Sequence, residues 1–465
     1  MSEPGSPNVP GTTLRTYSFG TVAQHAPTTA PDLVPDDDRS ARELGRALAF
    51  EATLFGLPAV LQYAQCCEQT TVTEDGSWGQ VNVFRHERRT AGPDFDAFRV
   101  PNVDTLYSNA WLHLSGGAIR VHLPDFGERY YTLNLLDMHG NATNISTRTH
   151  GRGPRDHVLA LPEWSGDDTG RFTVASPLMW GLLRVQLLGS EDAAAVAKLQ
   201  DAVTVSTVDG APAGFGAGLP RVSATAVEVD WTAFATALDA ALRVGGVAQE
   251  EIVHVARFRS IGIGTAEAFD PTAASPALHD GCLAGFEAAM TLVRSNQHQL
   301  GSPIPAGWTR VENKGRHGHN VTARAIMNFV GLGANVVEEN TSFNTRVDAE
   351  GQALDGSRAG YRLELDPPPP VDSFWSLTLY SAETGRVVAN ELDRYAVGST
   401  TPGVAPASTG EAVHIAIRTT DPGPGPVWLP APEAEFFLVL RAYGPRREML
   451  EHVWAPPSLH REAAP

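Results

Sequence analysis

The spacing of apolar residues changes twice along this chain, and these changes constrain the fold more than any single motif does. Over residues 81–188 apolar side chains tend to recur at every second position, as in 118–123. Over 190–340 they recur at helical spacing, and after residue 340 the period of two returns. Because alternation indicates strands and a period of 3.6 indicates helices, we predict an α+β chain with two separate β regions.

The length fits this division, since 465 residues are too many for one compact core. Residues 1–35 are rich in Pro, Gly, Ser and Thr, and we expect them to form a disordered leader. We predict an N-terminal helix plus a β-sandwich over 36–188 and a mainly helical domain over 189–340. A second β-sandwich is expected over 341–465.

The N-terminal helix carries its own start signal. Ser40 and Glu43 form a capping box, with Ser40 as the N-cap residue. Apolar positions at helical spacing continue the helix to about Cys67, and Pro58 is expected to kink or divide it. The adjacent Cys66 and Cys67 have no disulfide-framework spacing, so we expect buried thiols in a reducing compartment.

The charge balance of the chain is acidic. Asp and Glu number 53 against 35 Lys and Arg, a net charge of −18. A field of this sign opposes nucleic acid and anionic lipid, so neither partner is expected. No stretch of about 20 apolar residues and no secretory signal pattern is visible, which favours a cytoplasmic protein. An anionic ligand held by local arginines stays open, as does a homo-oligomer.

Two segments, 99–108 and 129–151, carry more polar side chains than a strand core needs. They contain the candidate site residues Arg99, Asn102, Asp104, Tyr107 and Arg148. Polar residues of varied type at strand ends and loops are typical of binding sites. We therefore predict that these five side chains converge on one cavity, although Arg99 and Arg148 lie far apart in sequence.

The chemistry of these residues suits an anion. An arginine fork donates two parallel hydrogen bonds to a carboxylate or phosphate, which makes Arg99 and Arg148 candidate ligand anchors. Asp104 is a candidate general base, with Tyr107 or Ser108 as its hydrogen-bonding partner. The competing interpretation is a structural Arg–Asp pair that braces two loops.

A second set lies in the last third of the chain. Asn390, Arg394 and Tyr395 either bind a ligand or satisfy loop carbonyls at a sandwich edge, and the structural interpretation is favoured. In the strand pattern of 374–380, alternate positions place four residues on one face. These are Phe374, Ser376, Thr378 and Tyr380.

Standard catalytic and cofactor motifs are missing. The sequence has no Gly-x-Ser-x-Gly elbow, no His-Glu-x-x-His, no P-loop and no complete Gly-x-Gly-x-x-Gly. We therefore expect no cofactor. His317-Gly318-His319 alone is a weak metal signal, because a zinc site needs three or four convergent ligands, and no metal is expected.

Longer motifs resemble a known pairing of families. The N-terminal motifs are similar to the domain of unknown function numbered 1254. They are Arg99-x-Pro101-Asn102-x-Asp104, Arg129-Tyr130-Tyr131 and Thr147-Arg148-Thr149-x-Gly151. The C-terminal motifs are similar to its usual partner, numbered 1214. They include Arg394-Tyr395-Ala396-Val397-Gly398, Trp428-Leu429-Pro430-Ala431-Pro432 and Arg441-x-Tyr443-x-Pro445. This resemblance implies an immunoglobulin-like β domain, a helical domain and a jelly-roll-like β domain, and it implies no activity.

Our first hypothesis is a cofactor-independent hydrolase or lyase acting on a small anionic organic substrate. Its pocket would lie where the first β domain meets the helical region or the second β domain. Asp104 and Tyr107 would supply the acid–base groups. The alternatives are a ligand-binding or accessory protein without chemistry, and a carbohydrate-binding pair of β-sandwiches. A raised pKa of Asp104 favours catalysis, whereas a depressed one favours bracing.

Overall fold

The structure is a computed structural model, and it describes eight stretches of the chain. They are residues 33–74, 76–95, 100–166, 169–208, 215–248, 251–312, 314–404 and 410–462. The predicted leader lies outside the described residues except for its last three positions, 33–35. The candidate anchor Arg99 also lies outside them.

The first helix, α1, spans Asp38–Gln69. Its N-cap is Asp37, whose carboxylate accepts a hydrogen bond from the Ser40 backbone N–H at 2.9 Å, so the predicted cap at Ser40 is wrong by one turn. The helix is also undivided at Pro58, which is buried inside it. Burial on most sides of α1 outweighs the hydrogen bond that Pro58 removes.

By length and composition, α1 is the one candidate membrane span among the described residues, and 72% of its apolar window is buried inside the protein. Its neighbours are helices of the middle region. A Cβ on Gly281 would meet the Arg42 carbonyl oxygen at 2.1 Å, so a glycine there lets two helices touch. Cys66, Cys67 and Cys282 are buried free thiols.

The first β region consists of two facing sheets and a small ribbon. Its elements are β1 (Thr71–Val72), β2 (Trp78–Gly79), β3 (Arg85–His86), β4 (Thr105–His113), β5 (Ile119–Leu123), β6 (Tyr131–Leu136), β7 (Ala142–Ser146), α2 (Thr147–His150), β8 (Arg155–Ala160), β9 (Arg171–Thr173) and β10 (Leu178–Gln186). The order β3-β4-β10-β6-β7 forms one sheet, and β5-β8-β9 with a later strand form the other. Leu133 and Val121 are among the residues that fill the core between them.

The middle region is mainly helical. Its elements are α3 (Ala193–Asp201), β11 (Thr204–Thr207), α4 (Ala224–Val227), α5 (Trp231–Gly245), α6 (Ile252–Ala256), α7 (Pro276–Ser295) and α8 (Val321–Gly331). The strand β11 returns to pair with β5. The helices α5, α7 and α8 pack on α1, and Phe55, Leu238 and Phe286 lie in their shared core.

The second β region is again a pair of sheets. Its elements are β12 (Gly301–Pro303), β13 (Trp308–Val311), β14 (Asn340–Thr345), β15 (Gly360–Leu365), β16 (Val371–Ser381), β17 (Ala396–Gly398), β18 (Val413–Arg418), β19 (Val427–Pro430), β20 (Phe436–Pro445), α9 (Arg447–Leu450) and β21 (His460–Glu462). The sheets run β12-β13-β14-β20-β16-β17 and β19-β18-β15-β21. The larger sheet thus begins upstream of residue 341, because Trp308 on β13 is buried in this core.

The predicted α+β class, with two separate β regions around a helical one, is confirmed. Each large sheet turns one face to its own core. On the five-stranded sheet that face carries Leu106 and Leu183, and on the six-stranded sheet it carries Trp375 and Leu440. Because side chains alternate along a strand, the neighbouring residues point to the opposite face. These two opposite faces meet in the middle of the molecule.

Candidate functional site

Polar residues occupy part of each of the two sheet faces that meet, beside apolar side chains such as Trp180 and Phe374. A cross-strand row on the five-stranded sheet and another on the six-stranded sheet show the pattern. The rows are Tyr107, Arg184, Thr132 and Ser146 on the first, and Ser342, Arg441 and Ser376 on the second. We call the polar side chains of these two faces, together with the residues that contact them or one another there, the inter-sheet layer. These residues are Asn102, Asp104, Arg148, Lys314 and Glu339.

Asp104 joins the two sheets within this layer. Its Oδ2 atom accepts hydrogen bonds from the Ser376 hydroxyl at 2.6 Å and from the Tyr443 hydroxyl at 3.2 Å. Burial raises the pKa of the Asp104 carboxyl, although the charge of Arg441 and these two hydrogen bonds act in the opposite direction. The carboxyl is therefore easier to protonate than an ordinary aspartate.

Asn102 fixes the turn that presents Asp104. Its side-chain oxygen accepts from the backbone N–H groups of Asp104 at 2.6 Å and of Thr105 at 3.2 Å. Its amide group donates to the Tyr443 hydroxyl. This is an Asx turn, a local use of asparagine that ties the start of β4 to the second β region.

Arg441 holds the preceding residues against the same sheet. Its guanidinium donates to the Tyr380 hydroxyl at 2.8 Å and to the Val100 carbonyl at 3.1 Å. The Tyr380 hydroxyl in turn donates to the Pro101 carbonyl at 2.5 Å. Residues 100–104, which belong to the first β region, are thus docked on the second one.

Lys314 is a buried amine in this layer. Its Nζ atom donates to the Asn340 side-chain oxygen at 2.8 Å and to the Ser342 hydroxyl at 3.3 Å. Among the described residues it forms no ion pair with a carboxylate. Burial lowers the pKa of Lys314 to about 7, and the positive charges of Arg441 and Arg184 lower it further.

Arg184 contributes a buried donor that is not used. Its Nη2 atom donates to the Gly333 carbonyl at 2.8 Å, and its guanidinium lies over the Tyr107 ring, 5.0 Å from the centroid. Its Nη1 atom is buried and has no hydrogen-bond partner within the part of the chain that the structure describes. Because buried donors are nearly always paired, this atom is a candidate donor to a ligand or to an ordered water, as are buried nitrogens of Arg310 and Arg324.

Glu339 forms the opposite arrangement elsewhere in the layer, next in sequence to Asn340, which binds Lys314. Its side chain is fully buried, and it accepts from Arg148 Nε at 2.8 Å, the Ser146 hydroxyl at 2.7 Å and the Tyr130 hydroxyl at 3.0 Å. The Tyr130 ring packs on the Tyr443 ring with centroids 5.5 Å apart, which connects the two sides. The hydrogen-bonding capacity of the Glu339 carboxylate is thus met by neighbouring side chains of the same chain.

Comparison with protein families agrees with this arrangement. Residues 81–207 match the model described as "Protein of unknown function (DUF1254)", and residues 339–447 match "Protein of unknown function (DUF1214)". The chain carries the DUF1254–DUF1214 pairing. Asp104 and Arg184 lie in the DUF1254 segment, and Glu339 and Arg441 lie in the DUF1214 segment. The inter-sheet layer is therefore the contact between the two family domains, and Lys314 lies between the matched segments.

Two solved structures resemble the chain. The crystal structure of the VPA0106 protein from Vibrio parahaemolyticus matches with a TM-score of 0.69 at 19% identity, covering 90% of this chain and 100% of that one. The crystal structure of an uncharacterized protein from Burkholderia cenocepacia matches with a TM-score of 0.43 at 12% identity, covering 93% and 91%. The first likeness supports the fold of the DUF1254–DUF1214 pairing. No curated protein matches the sequence.

The residues predicted from the sequence fall into three places. Asn102 and Asp104 share Tyr443, and Tyr107 lies beneath Arg184, so these three belong to the side of the layer that holds Lys314. Arg148 belongs to the Glu339 side, with its own side chain 41% exposed. Arg99 lies outside the described residues. Four of the five predicted site residues therefore belong to the inter-sheet layer.

Asn390 and Arg394 lie away from the layer, in a loop of the DUF1214 region. The Asn390 side chain accepts from the backbone N–H groups of Leu392 and Arg394 and donates to the Val388 and Arg394 carbonyls. Arg394 donates to the Trp428 carbonyl at 3.0 Å and lines an open cavity of about 330 Å³. Asn390 is thus fully occupied in shaping its loop.

The aromatic and histidine candidates are placed as follows. Trp375 is buried in the second core, and Trp428 is partly buried with its ring N–H donating to the Arg418 carbonyl. Burial lowers the pKa of His317 to about 4. No group of three or more His, Cys, Asp or Glu side chains in the described ranges could hold a metal ion.

The sequence interpretation missed Lys314, Arg184 and Glu339, yet one signal for Lys314 was available. The chain contains only two lysines, Lys198 and Lys314, against 33 arginines. Lys198 is exposed on α3, whereas Lys314 is buried in the inter-sheet layer. A chain that otherwise uses arginine for its cations keeps lysine at this buried position, where an arginine would stay charged at every physiological pH.

Proposed function

We propose that the inter-sheet layer binds a small organic anion and acts on it by acid–base chemistry of the hydrolase or lyase type. The observation that carries the proposal is the unpartnered Nη1 atom of the buried Arg184. A carboxylate or phosphate oxygen would satisfy that donor with a charge-assisted hydrogen bond. We place the anion beside Tyr107, over whose ring the Arg184 guanidinium lies.

The balance of charge supports an anion rather than a neutral ligand. Arg184, Arg441 and Lys314 are buried on this side of the layer, and burial together with the charges of the two arginines lowers the pKa of Lys314. Asp104 accepts hydrogen bonds there and interacts with Arg441, so one carboxyl faces three cationic side chains on this side. Uncompensated buried positive charge is unfavourable, so an added anion would stabilise the folded protein.

Asp104 is the proposed acid–base group. Its carboxyl is oriented by Ser376 and Tyr443, and burial raises its pKa, which makes the carboxylate a stronger base than an ordinary aspartate. Purely bracing carboxylates more often have a lowered pKa, because their partners favour the charged form. The non-catalytic alternative keeps the anion site and gives Asp104 only a structural role.

Anion binding is testable by thermal melts in increasing concentrations of acetate, succinate, citrate and phosphate. At a concentration 100 times the dissociation constant, a ligand stabilises the native state by about 2.7 kcal/mol. We expect at least one of these anions to raise the melting temperature, and Arg184→Gln to remove that rise. The matched control is Arg447→Gln, because Arg447 is exposed. An equal response of both variants, or no response of the native protein, would contradict the anion site.

The catalytic part needs a second experiment. The native protein and Asp104→Asn are incubated with a metabolite extract, and mass spectrometry records which compounds stay bound and which are converted. We expect Asp104→Asn to retain the bound anion but lose the conversion, because the amide cannot transfer a proton. Conversion at an unchanged rate would refute the role of Asp104. Binding without conversion by the native protein would support the accessory-protein alternative.

We also propose a cytoplasmic location, without nucleic acid or membrane as partner. The support is the net charge of −18 and the three free thiols, all buried. Fractionation of the native host cells, with immunodetection of the chain, tests the location. A homo-oligomer remains open to measurement by light scattering.

A further inference from the structure

Lys314 places an amine where hydrogen bonding alone does not require one. Its two contacts, the Asn340 side chain and the Ser342 hydroxyl, are neutral and lie on the same strand, β14. Its charged neighbours are Arg441, Arg184 and Arg310, and all three repel a protonated amine. A neutral side chain would avoid that repulsion and could still fill this space. The amine itself is therefore the feature to be explained.

We propose that Lys314 is a nucleophilic amine that forms an imine with the carbonyl carbon of a 2-oxo carboxylate held by Arg184. This inference rests on the proposed anion site and names the class of its ligand. The carboxylate would take the free Nη1 donor of Arg184, and the adjacent carbonyl group would face the Lys314 nitrogen. Imine formation is the established way in which a lysine amine activates a carbonyl compound.

The step balances without any further reagent. The unprotonated Lys314 nitrogen forms a bond to the carbonyl carbon and gives a carbinolamine. The former carbonyl oxygen then leaves as water, with the two protons that the amine nitrogen gives up. The product is a neutral imine, and its protonated form withdraws electrons from the neighbouring carbon. Hydrolysis reverses the step and releases the amine.

The electrostatic surroundings support this reactivity. Burial, with Arg441, Arg184 and Arg310 nearby, lowers the pKa of Lys314 to about 7, so a large fraction is unprotonated at neutral pH. An ordinary lysine is almost fully protonated there and is a poor nucleophile. The same shift recurs in lysines that work as Schiff-base nucleophiles beside another cation.

The composition of the chain makes the test unusually clean. The native protein is incubated at pH 7.5 with pyruvate and sodium cyanoborohydride, which reduces an imine to a stable secondary amine. Peptide mass spectrometry then compares Lys314 with Lys198, the only other lysine and an exposed internal control. We expect roughly 100-fold more adduct at Lys314, because its unprotonated fraction is larger by about that factor or more. Adduct at Lys198 equal to or above that at Lys314 overturns the proposal.

Two further arms separate this inference from the proposed function. Acetone, which has the carbonyl group but no carboxylate, should be trapped at Lys314 far less than pyruvate is. Arg184→Gln should lower pyruvate trapping without changing the small amount at Lys198. If pyruvate raises the melting temperature but leaves no adduct at Lys314, the anion site stands and the imine fails. If pyruvate and the other anions have no effect on the melting temperature and no adduct forms, both fail.

A pH profile supplies a readout that a purely structural lysine would not show. Pyruvate trapping at Lys314 should reach half of its upper plateau near pH 7, whereas trapping at Lys198 should keep rising up to the ordinary lysine range. Parallel profiles for the two lysines would contradict the proposal.

Discussion

The inter-sheet layer contains buried charged side chains on both sides, but the two sides differ in how these charges are satisfied. On one side the buried carboxylate of Glu339 is surrounded by three donors from its own chain. On the other side the buried cations Lys314 and Arg184 have neutral acceptors, and one donor atom has none in the described part of the chain. The Glu339 side is therefore complete as it stands, whereas the Lys314 side is where we propose that a ligand binds.

This difference teaches how to separate architecture from function when both are polar and buried. A buried charge with all of its partners is expected of a brace, and removing it should mainly reduce stability. A buried charge without a counter-charge lowers stability, and natural sequences keep such features where function requires them. The two sides should thus respond differently to substitution, to pH and to added anions.

The largest expected effect comes from Glu339→Ala. It leaves the Ser146 and Tyr130 hydroxyls buried without their acceptor, so the free energy of unfolding should fall by about 2–4 kcal/mol. Urea unfolding measures this. The control is Glu338→Ala, whose side chain is 30% exposed and pairs with the exposed Arg316; this change should cost less than about 1 kcal/mol. Equal losses for Glu338 and Glu339 would remove the distinction between the two sides.

Arg148→Ala should have a smaller effect on the same side. Arg148 donates one hydrogen bond to Glu339, but its side chain is 41% exposed and Glu339 keeps two other donors. We expect a loss of about 1–2 kcal/mol in unfolding free energy and no change in the anion response. A lost anion response with unchanged stability would instead make Arg148 a ligand anchor.

The titration of Lys314 should make the free energy of unfolding depend on pH. The unfolded chain keeps the Lys314 proton up to the ordinary pKa of 10.5, whereas the folded chain releases it near 7. The unfolded state therefore binds more protons in this window, and stability rises with pH by up to about 1.4 kcal/mol per unit from this group. Urea midpoints of the native chain and Lys314→Met at pH 7, 8 and 9 test this. Parallel curves would show that Lys314 does not titrate as described.

The smallest effect is expected outside the layer. Asn390→Ala removes hydrogen bonds within one exposed loop, so we expect a loss of about 1 kcal/mol and an unchanged response to anions and pyruvate. Thermal melts with and without citrate measure both. A lost anion response would mean that the loop, and with it the cavity beside Arg394, takes part in binding.

Much of the fold could be predicted because apolar spacing reports local geometry directly. The alternation of Phe374, Ser376 and Tyr380 correctly indicated one face of β16, and in the structure that face meets the inter-sheet layer. The short strand β13 was missed, since four residues give too little periodicity to be recognised. The helix start moved from Ser40 to Asp37 because several residues there can cap, and the sequence does not rank them.

The candidate site was only partly predictable. Asp104 and Asn102 lie in one dense polar run, so local sequence was enough to single them out. Glu339 and Lys314 acquire their meaning from partners far away in the chain, as in the bond from Arg148 to Glu339 across 191 positions. Such pairings are properties of the tertiary structure. Only the rarity of lysine in the composition hinted at Lys314.

The docking of residues 100–104 on the second β region has a consequence for how the molecule can be taken apart. The Val100 and Pro101 carbonyls satisfy Arg441 and Tyr380, so each half of the protein supplies hydrogen-bond partners that the other half lacks. If one β region were expressed without the other, its polar face would be exposed to solvent, together with the apolar side chains around that face. Two fragments that each contain one β region should associate when they are produced together. A gene split between the two regions would therefore give complementing fragments.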